Sequence, residues 1–130
     1  MNIEQALRTE LVNAATTAAG RVYPQKLPQD AVLPAITYAK ISAPRGYDHD
    51  GPDGLVDARF QVSCWATTYL VVKALVAQVI TVLSAFSGTM GGVGGVEVGK
   101  SFVINEVDML EPDVGIWHVP LDINLGYKEV

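Results

Sequence analysis

A chain of 130 residues with 49% hydrophobic content carries enough apolar surface for one domain with one core. Its net charge of −5, with 18% charged residues, leaves no cluster of Lys and Arg able to release counterions, which excludes tight nucleic-acid binding but not a protein that nucleic acid merely passes. A single cysteine, Cys64, rules out an internal disulfide and points to a reducing compartment.

The opening MNIEQALRTELV has no basic segment followed by a long apolar run, so no secretion signal is expected. Residues 2–19 read as a helix. Asn2 and Gln5 have the capping-box spacing, and Gly20 offers a stop. Ile3, Leu7, Leu11, Ala14 and Ala18 make its apolar stripe. The connector VYPQKLPQDAVLP holds Pro24, Pro28 and Pro34, which forbid regular helix. Residues 35–43 read as a strand, and residues 45–54, RGYDHDGPDG, as turn chemistry throughout. Residues 55–66 are the clearest strand. Val56, Ala58, Phe60, Val62 and Cys64 take one face; Asp57, Arg59, Gln61 and Ser63 take the other. The two strands and the turn between them predict a long hairpin.

Residues 69–86, YLVVKALVAQVITVLSAF, are apolar enough to raise the question of a membrane span. On a helical wheel Lys73, Gln78, Thr81 and Ser84 fall on one side. Val72, Leu75, Val76, Val79, Val82, Leu83 and Phe86 fall on the other. That is an amphipathic helix resting on a core. A lysine inside so short a run argues against a span. Thr67 or Thr68 caps its start, and Gly88 with the run GTMGGVGG ends it. Residues 101–110 read as a strand of weaker alternation, EPDVG as a turn, and residues 116–126 as a last strand. There Trp117, Val119, Leu121, Ile123 and Leu125 face one way, and His118, Asp122 and Asn124 the other. The order helix, two strands, helix, two strands predicts a single α+β domain over residues 1–130. Its sheet is mostly antiparallel, with about four strands in two hairpins.

One stretch formally matches the phosphate-binding loop G-x-x-x-x-G-K-[ST]: GGVEVGKS, residues 94–101. Such a loop works when it follows a buried strand and opens a helix whose N-terminus faces the phosphates. Here it follows a helix and precedes FVINEVDML, rich in β-branched residues. The context predicts a flexible connection between helix and hairpin. DHDGPDG, residues 48–54, holds three carboxylates and a histidine, but counting from Asp48 puts glycine at the fourth place and Arg59 at the twelfth. Both depart from a calcium loop. The second histidine, His118, lies on another strand, and an acidic hairpin tip accounts for the segment. Cys64, on an apolar strand face beside Trp65, reads as a small hydrophobe rather than a thiolate. Asp108 and Glu111 read as an acid/base pair or, more simply, as a solvated turn. Trp65 and Trp117 either stack on a base or sugar, or pack on the sheet or at a subunit contact. Nothing in the residues requires catalysis, a metal or a cofactor.

Four segments stand in order along nearly the whole chain: VYP (22–24), LPAITYAKIS (33–42), DGPDGLVDARFQVSCWA (50–66) and EPDVGIWHVPLDINL (111–125). Together they resemble the tail-completion family of long-tailed bacteriophages, which includes tail-terminator and tail-to-head joining proteins. Val114 stands where that family often has threonine, and TMGGVGGVEVGK does not align with its pattern. The resemblance implies a non-enzymatic virion protein of the tail and neck, assembled in the host bacterial cytoplasm. It implies a ring of identical copies, commonly a hexamer, that caps the head-proximal end of the tail tube, halts polymerisation and offers a docking face to the head. The implied partners are further copies, the major tail tube protein and a head-completion or connector protein. DNA passes through the lumen without specific binding, which an acidic balance favours. No cofactor and no membrane enter. The alternatives are a head-completion, neck or minor tail component, its equivalent in a phage-derived contractile particle and, remotely, a small nucleotide-binding enzyme using residues 94–101. The candidate interface residues are Arg45, Tyr47, Asp48, His49, Asp50 and Asp53 in the first loop, Gly92 and Gly94 in the second, and Trp117.

Overall fold

Alternation by two sets the centre of the molecule. In a computed structural model, which describes residues 1–48, 51–84, 86–112 and 114–129, the two most regular alternating segments are the two central strands. The elements are α1 (Ile3–Asn13), β1 (Val22–Pro24), β2 (Ala35–Ser42), β3 (Arg45–Asp48), β4 (Gly51–Ala66), α2 (Tyr69–Leu83), β5 (Gly88–Met90), β6 (Val96–Glu106), β7 (Met109–Glu111) and β8 (Ile116–Lys128). The expected α+β class holds. The sheet is twice the expected size: eight strands rather than about four, in the order β1-β2-β4-β8-β6-β5, with β3 also beside β4 and β7 beside β8. Every pair is antiparallel except β1 with β2.

Both helices cover one face. Val56, Ala58, Phe60, Val62, Cys64 and Ala66 of β4 join Val119, Leu121, Ile123, Leu125 and Tyr127 of β8 in a single buried cluster. Ile3, Ala6, Leu7 and Leu11 of α1 and Val72, Leu75, Val76, Val79 and Leu83 of α2 close it from above. α2 thus uses the predicted face, and Thr68 is its cap, the side chain accepting from Val71 N at 3.3 Å. No described helix is long and apolar enough to cross a membrane.

Several local expectations need correction. The strand read over residues 101–110 instead starts at Val96, ends at Glu106 and gives way to β7 at Met109, and α2 ends at Leu83 rather than Phe86. α1 stops at Asn13, not residue 19. Its capping box is as predicted, with Asn2 Oδ1 accepting from Gln5 N at 2.8 Å and Gln5 Oε1 from Asn2 N at 3.0 Å. Left-handed backbone at Ala15 (φ 54°) and Ala19 (φ 53°) breaks helical continuation. The following turn is tied instead to α2, where Gln78 Oε1 accepts from Thr17 N and Oγ1 at 2.8 and 3.0 Å.

The segment RGYDHDGPDG is not turn throughout. Residues 45–48 and 51–54 belong to β3 and β4, paired as Asp48↔Gly51, Tyr47↔Pro52 and Arg45↔Val56. The glycine run is not a flexible connection either. It forms β5, a tight turn over 91–95 and the start of β6. Gly91, at φ +91°, donates its N–H to Glu10 Oε1 at 3.1 Å, and a Cβ there would stand 2.9 Å from Ala6 Cα. The glycine lets the turn close directly onto α1.

Candidate functional site

The residues of the phosphate-loop match are consumed by the sheet. Val96–Glu106 is one strand, so no helix opens after Ser101. Ser101 is fully buried and donates its hydroxyl to the Leu83 carbonyl at the end of α2. Lys100 and Asp57 both stand opposite Gly126, one from each side. The lysine stem crosses the bare glycine, and its Nζ meets Asp57 Oδ1 at 3.1 Å. A Cβ at Gly126 would lie 2.7 Å from Lys100 Cγ, so the glycine makes room for the crossing. Both partners are about half exposed, and an ion pair of this kind contributes roughly 0–1 kcal/mol. Lys100→Ala is therefore expected to shift the melting temperature by no more than a few degrees. It leaves ATP hydrolysis, assayed with radiolabelled ATP, at the same background as the unaltered protein. Hydrolysis abolished by this substitution would reinstate the enzyme reading.

The other sequence candidates divide between the two ends of the sheet. At the first end, Arg45 makes a two-pronged ion pair with Glu129, Nε to Oε1 at 3.0 Å and Nη2 to Oε2 at 2.9 Å. Those bonds hold the Glu129 carboxyl below its usual range. Tyr47 and Asp48 lie in β3 and Asp53 in β4, while His49 and Asp50 fall outside the described residues. Gly92 (φ +78°) and Gly94 (φ +77°) are exposed in the β5–β6 turn, on either side of a fully exposed Val93. Gly94, Glu4, Lys40 and Glu129 line one shallow cavity of about 670 Å³, and Lys40 is ion-paired with Glu4. The fold therefore brings the β3–β4 hairpin base and the glycine turn to the same end. A neighbouring open groove of about 660 Å³ runs between Arg45, Leu55, Asp57, Glu97, Lys100 and Lys128. Its mixed signs favour no single class of ion.

Trp117 lies at the opposite end, edge-on to Tyr69 at 4.9 Å between ring centroids. Trp65 stacks on His118 at 3.8 Å and donates Nε1–H to Thr37 Oγ1 at 3.0 Å. Both tryptophans are thus engaged in packing on the sheet. Burial lowers the pKa of His118, so its imidazole is neutral at pH 7. Its strand partner is Trp65, at the far end of the sixteen-residue β4 from Gly51. Among the described residues, no three His, Cys, Asp or Glu side chains gather to hold a metal. Asp108 accepts from Lys73 Nζ and Tyr69 OH, each at 3.1 Å, and the lysine holds its carboxyl low, which makes it a poor base. Cys64 is the predicted small hydrophobe, its thiol pushed up to about 12 by burial.

Some exposed residues carried no signal in the sequence. Ile41, Phe102, Ile104, Met109 and Leu110 are each 44–57% exposed. They sit on strands at or beside the two edges of the sheet. An apolar residue at a strand position looks like core in sequence; only the pairing order reveals an edge.

A solved structure described as the virion of a native gene transfer agent particle contains a chain of similar shape. The TM-score is 0.73 at 12% identity, and the match covers 95% of this chain and 93% of that one. At that identity the likeness shows the fold. No protein of curated function matches the sequence. The family model for tail completion protein gp17 matches residues 2–128, spanning both helices and every strand. The chain accordingly belongs to the tail completion protein gp17 family and is a structural component of a phage tail.

Proposed function

We propose that this protein caps the head-proximal end of the tail tube as a ring, commonly of six copies, ending tube growth and presenting a docking face to the filled head. The observation that carries the reading is the family match across residues 2–128. Supporting it, four polar side chains from the segments singled out in the sequence make bonds within the fold. Lys100, Ser101, Asp108 and Arg45 all serve internal bonds rather than a reaction centre. The role is non-enzymatic. The tail tube protein sits on one side of the ring and a head-completion or connector protein on the other. DNA passes through a lumen whose net negative subunits do not retain it.

The test is electron microscopy of a lysate from the parent phage with this gene disrupted. The expected picture is filled heads without tails beside free, overlong tubes. Unjoined tails of normal length would move the protein to a joining role distinct from termination. Intact infectious particles would overturn the assembly role altogether.

A further inference from the structure

The two edges of the sheet complement each other. On one side, β5 covers β6 only at Val96–Val98, and the outer backbone edge from Gly99 through β7 has no strand partner among the described residues. On the other side, β1 covers β2 only at Ile36–Tyr38, leaving the outer edge of residues 39–42 without one. The registers place these open stretches at one height. Ala39 pairs with Gln61, Gln61 with Asp122 and Asp122 with Asn105. Ser42 pairs with Arg59, Arg59 with Asn124 and Asn124 with Phe102.

Strand direction matches as well. β2 is antiparallel to β4, β4 to β8 and β8 to β6, so β2 and β6 run oppositely. A second copy in the same orientation would continue the sheet through another antiparallel pair. Each stretch also carries apolar side chains left half in water: Ile41 (57%) on one, Phe102 (53%) and Ile104 (47%) on the other.

Charge selects the partner. Residues 101–113 hold Glu106, Asp108, Glu111 and Asp113 and no base. Residues 21–45 hold Arg21, Lys26, Lys40 and Arg45 against the single acid Asp30. Pairing β6 with its own copy about a twofold axis would also be antiparallel, but it would set acid against acid. Lys73 offsets part of the acid on the first edge, and Glu4 and Glu129 offset Lys40 and Arg45 on the second, so pairing unlike edges sets a net-acidic edge beside one close to neutral and avoids the acid–acid contact. A head-to-tail contact of this kind is the sort that generates a ring when its rotation closes, and strand addition is an established way for chains to join at sheet edges.

We infer that copies of this chain join edge to edge, residues 102–105 of β6 in one copy pairing antiparallel with residues 39–42 of β2 in the next. This names the subunit contact of the proposed ring and so rests on that reading.

The test is the double variant Ser42→Cys with Phe102→Cys, two positions that the proposed register sets opposite each other, treated with a short bis-maleimide both as purified protein and in assembled particles. The one native thiol, Cys64, is fully buried and does not compete. Both new cysteines replace exposed side chains, and circular dichroism checks that the fold is kept. The expected result is a ladder of covalent dimers, trimers and higher species in at least one of the two preparations, absent from either single variant. Dimers from Phe102→Cys alone as abundant as those of the double variant would overturn the inference in favour of twofold pairing. No ladder in either preparation would overturn it outright. Tail length in the gene disruption is read separately, so the contact can fail while the capping role stands.

Discussion

Gly95→Ala is expected to leave little folded protein. An added Cβ would lie 2.0 Å from the Met90 carbonyl oxygen, 2.9 Å from the Met90 carbonyl carbon and 2.8 Å from the Gly92 oxygen. All three are backbone atoms, so no side chain can swing aside. The turn would have to open. Gly95 N–H donates to Gly92 O at 3.0 Å, and the adjacent pair Met90↔Val96 starts the β5–β6 ladder. Met90 is fully buried, so opening the turn draws it from the core. The expected loss exceeds about 4 kcal/mol, against a total stability on the order of 5–15 kcal/mol for a domain. Thermal melts read by circular dichroism, with the soluble yield, measure it. Gly92→Ala is the control. It meets nothing within 4 Å but sits at φ +78°, so it is expected to cost only about 1–2 kcal/mol. A Gly95→Ala protein melting within a few degrees of the unaltered one would show that the turn is not closed as described.

Phe60→Ala has the second largest expected effect. Phe60 is at the middle of β4, fully buried, between Lys40 of β2 and Ile123 of β8. Removing the ring leaves a cavity, at a cost of about 3–5 kcal/mol, or a drop of roughly 10–20 °C for a chain of this length. Its neighbour Arg59 points to the opposite, uncovered face. Arg59→Ala is expected to change stability by no more than about 0.5 kcal/mol. Urea unfolding of the two variants compares adjacent residues on opposite faces of one strand. Equal losses would mean that β4 does not have one buried and one open side.

The contrast between Phe60 and Arg59 was plain in the sequence, and so were β4, β8, α2 and the capping box of α1. Each rests on a pattern long enough to repeat, or on a cap whose chemistry is local. The short strands were not legible. β1, β5 and β7 have three residues each, too few for a period to show. They pair because a longer neighbour offers an edge, which is a property of the fold. β6 was half seen for a different reason. Register shifts between Val98 and Lys100 and between Val103 and Asn105 insert a residue twice. Val98 and Ser101 then both point inward, three positions apart, and the alternation by two is lost. The glycines at 91, 92, 94 and 95 mark a turn correctly, but Gly88 belongs to β5, and the run hides the strands it joins. At the candidate surfaces the sequence pointed to the loops, where turn residues gather. Ile41 and Phe102 passed unnoticed because exposure at a sheet edge depends on which strands are neighbours.

The ladder between β4 and β8 runs without interruption from Leu55↔Lys128 to Ala66↔Trp117, twelve pairs in succession. In an antiparallel ladder the hydrogen bonds lie across the strands. Tension applied along the strands from opposite ends therefore loads all of these bonds together, in shear. Tension applied across them breaks one at a time, as a zipper opens. The domain is accordingly stiff along one direction and weak at right angles to it. A pull along the long axis of β4 therefore meets more resistance than one across it.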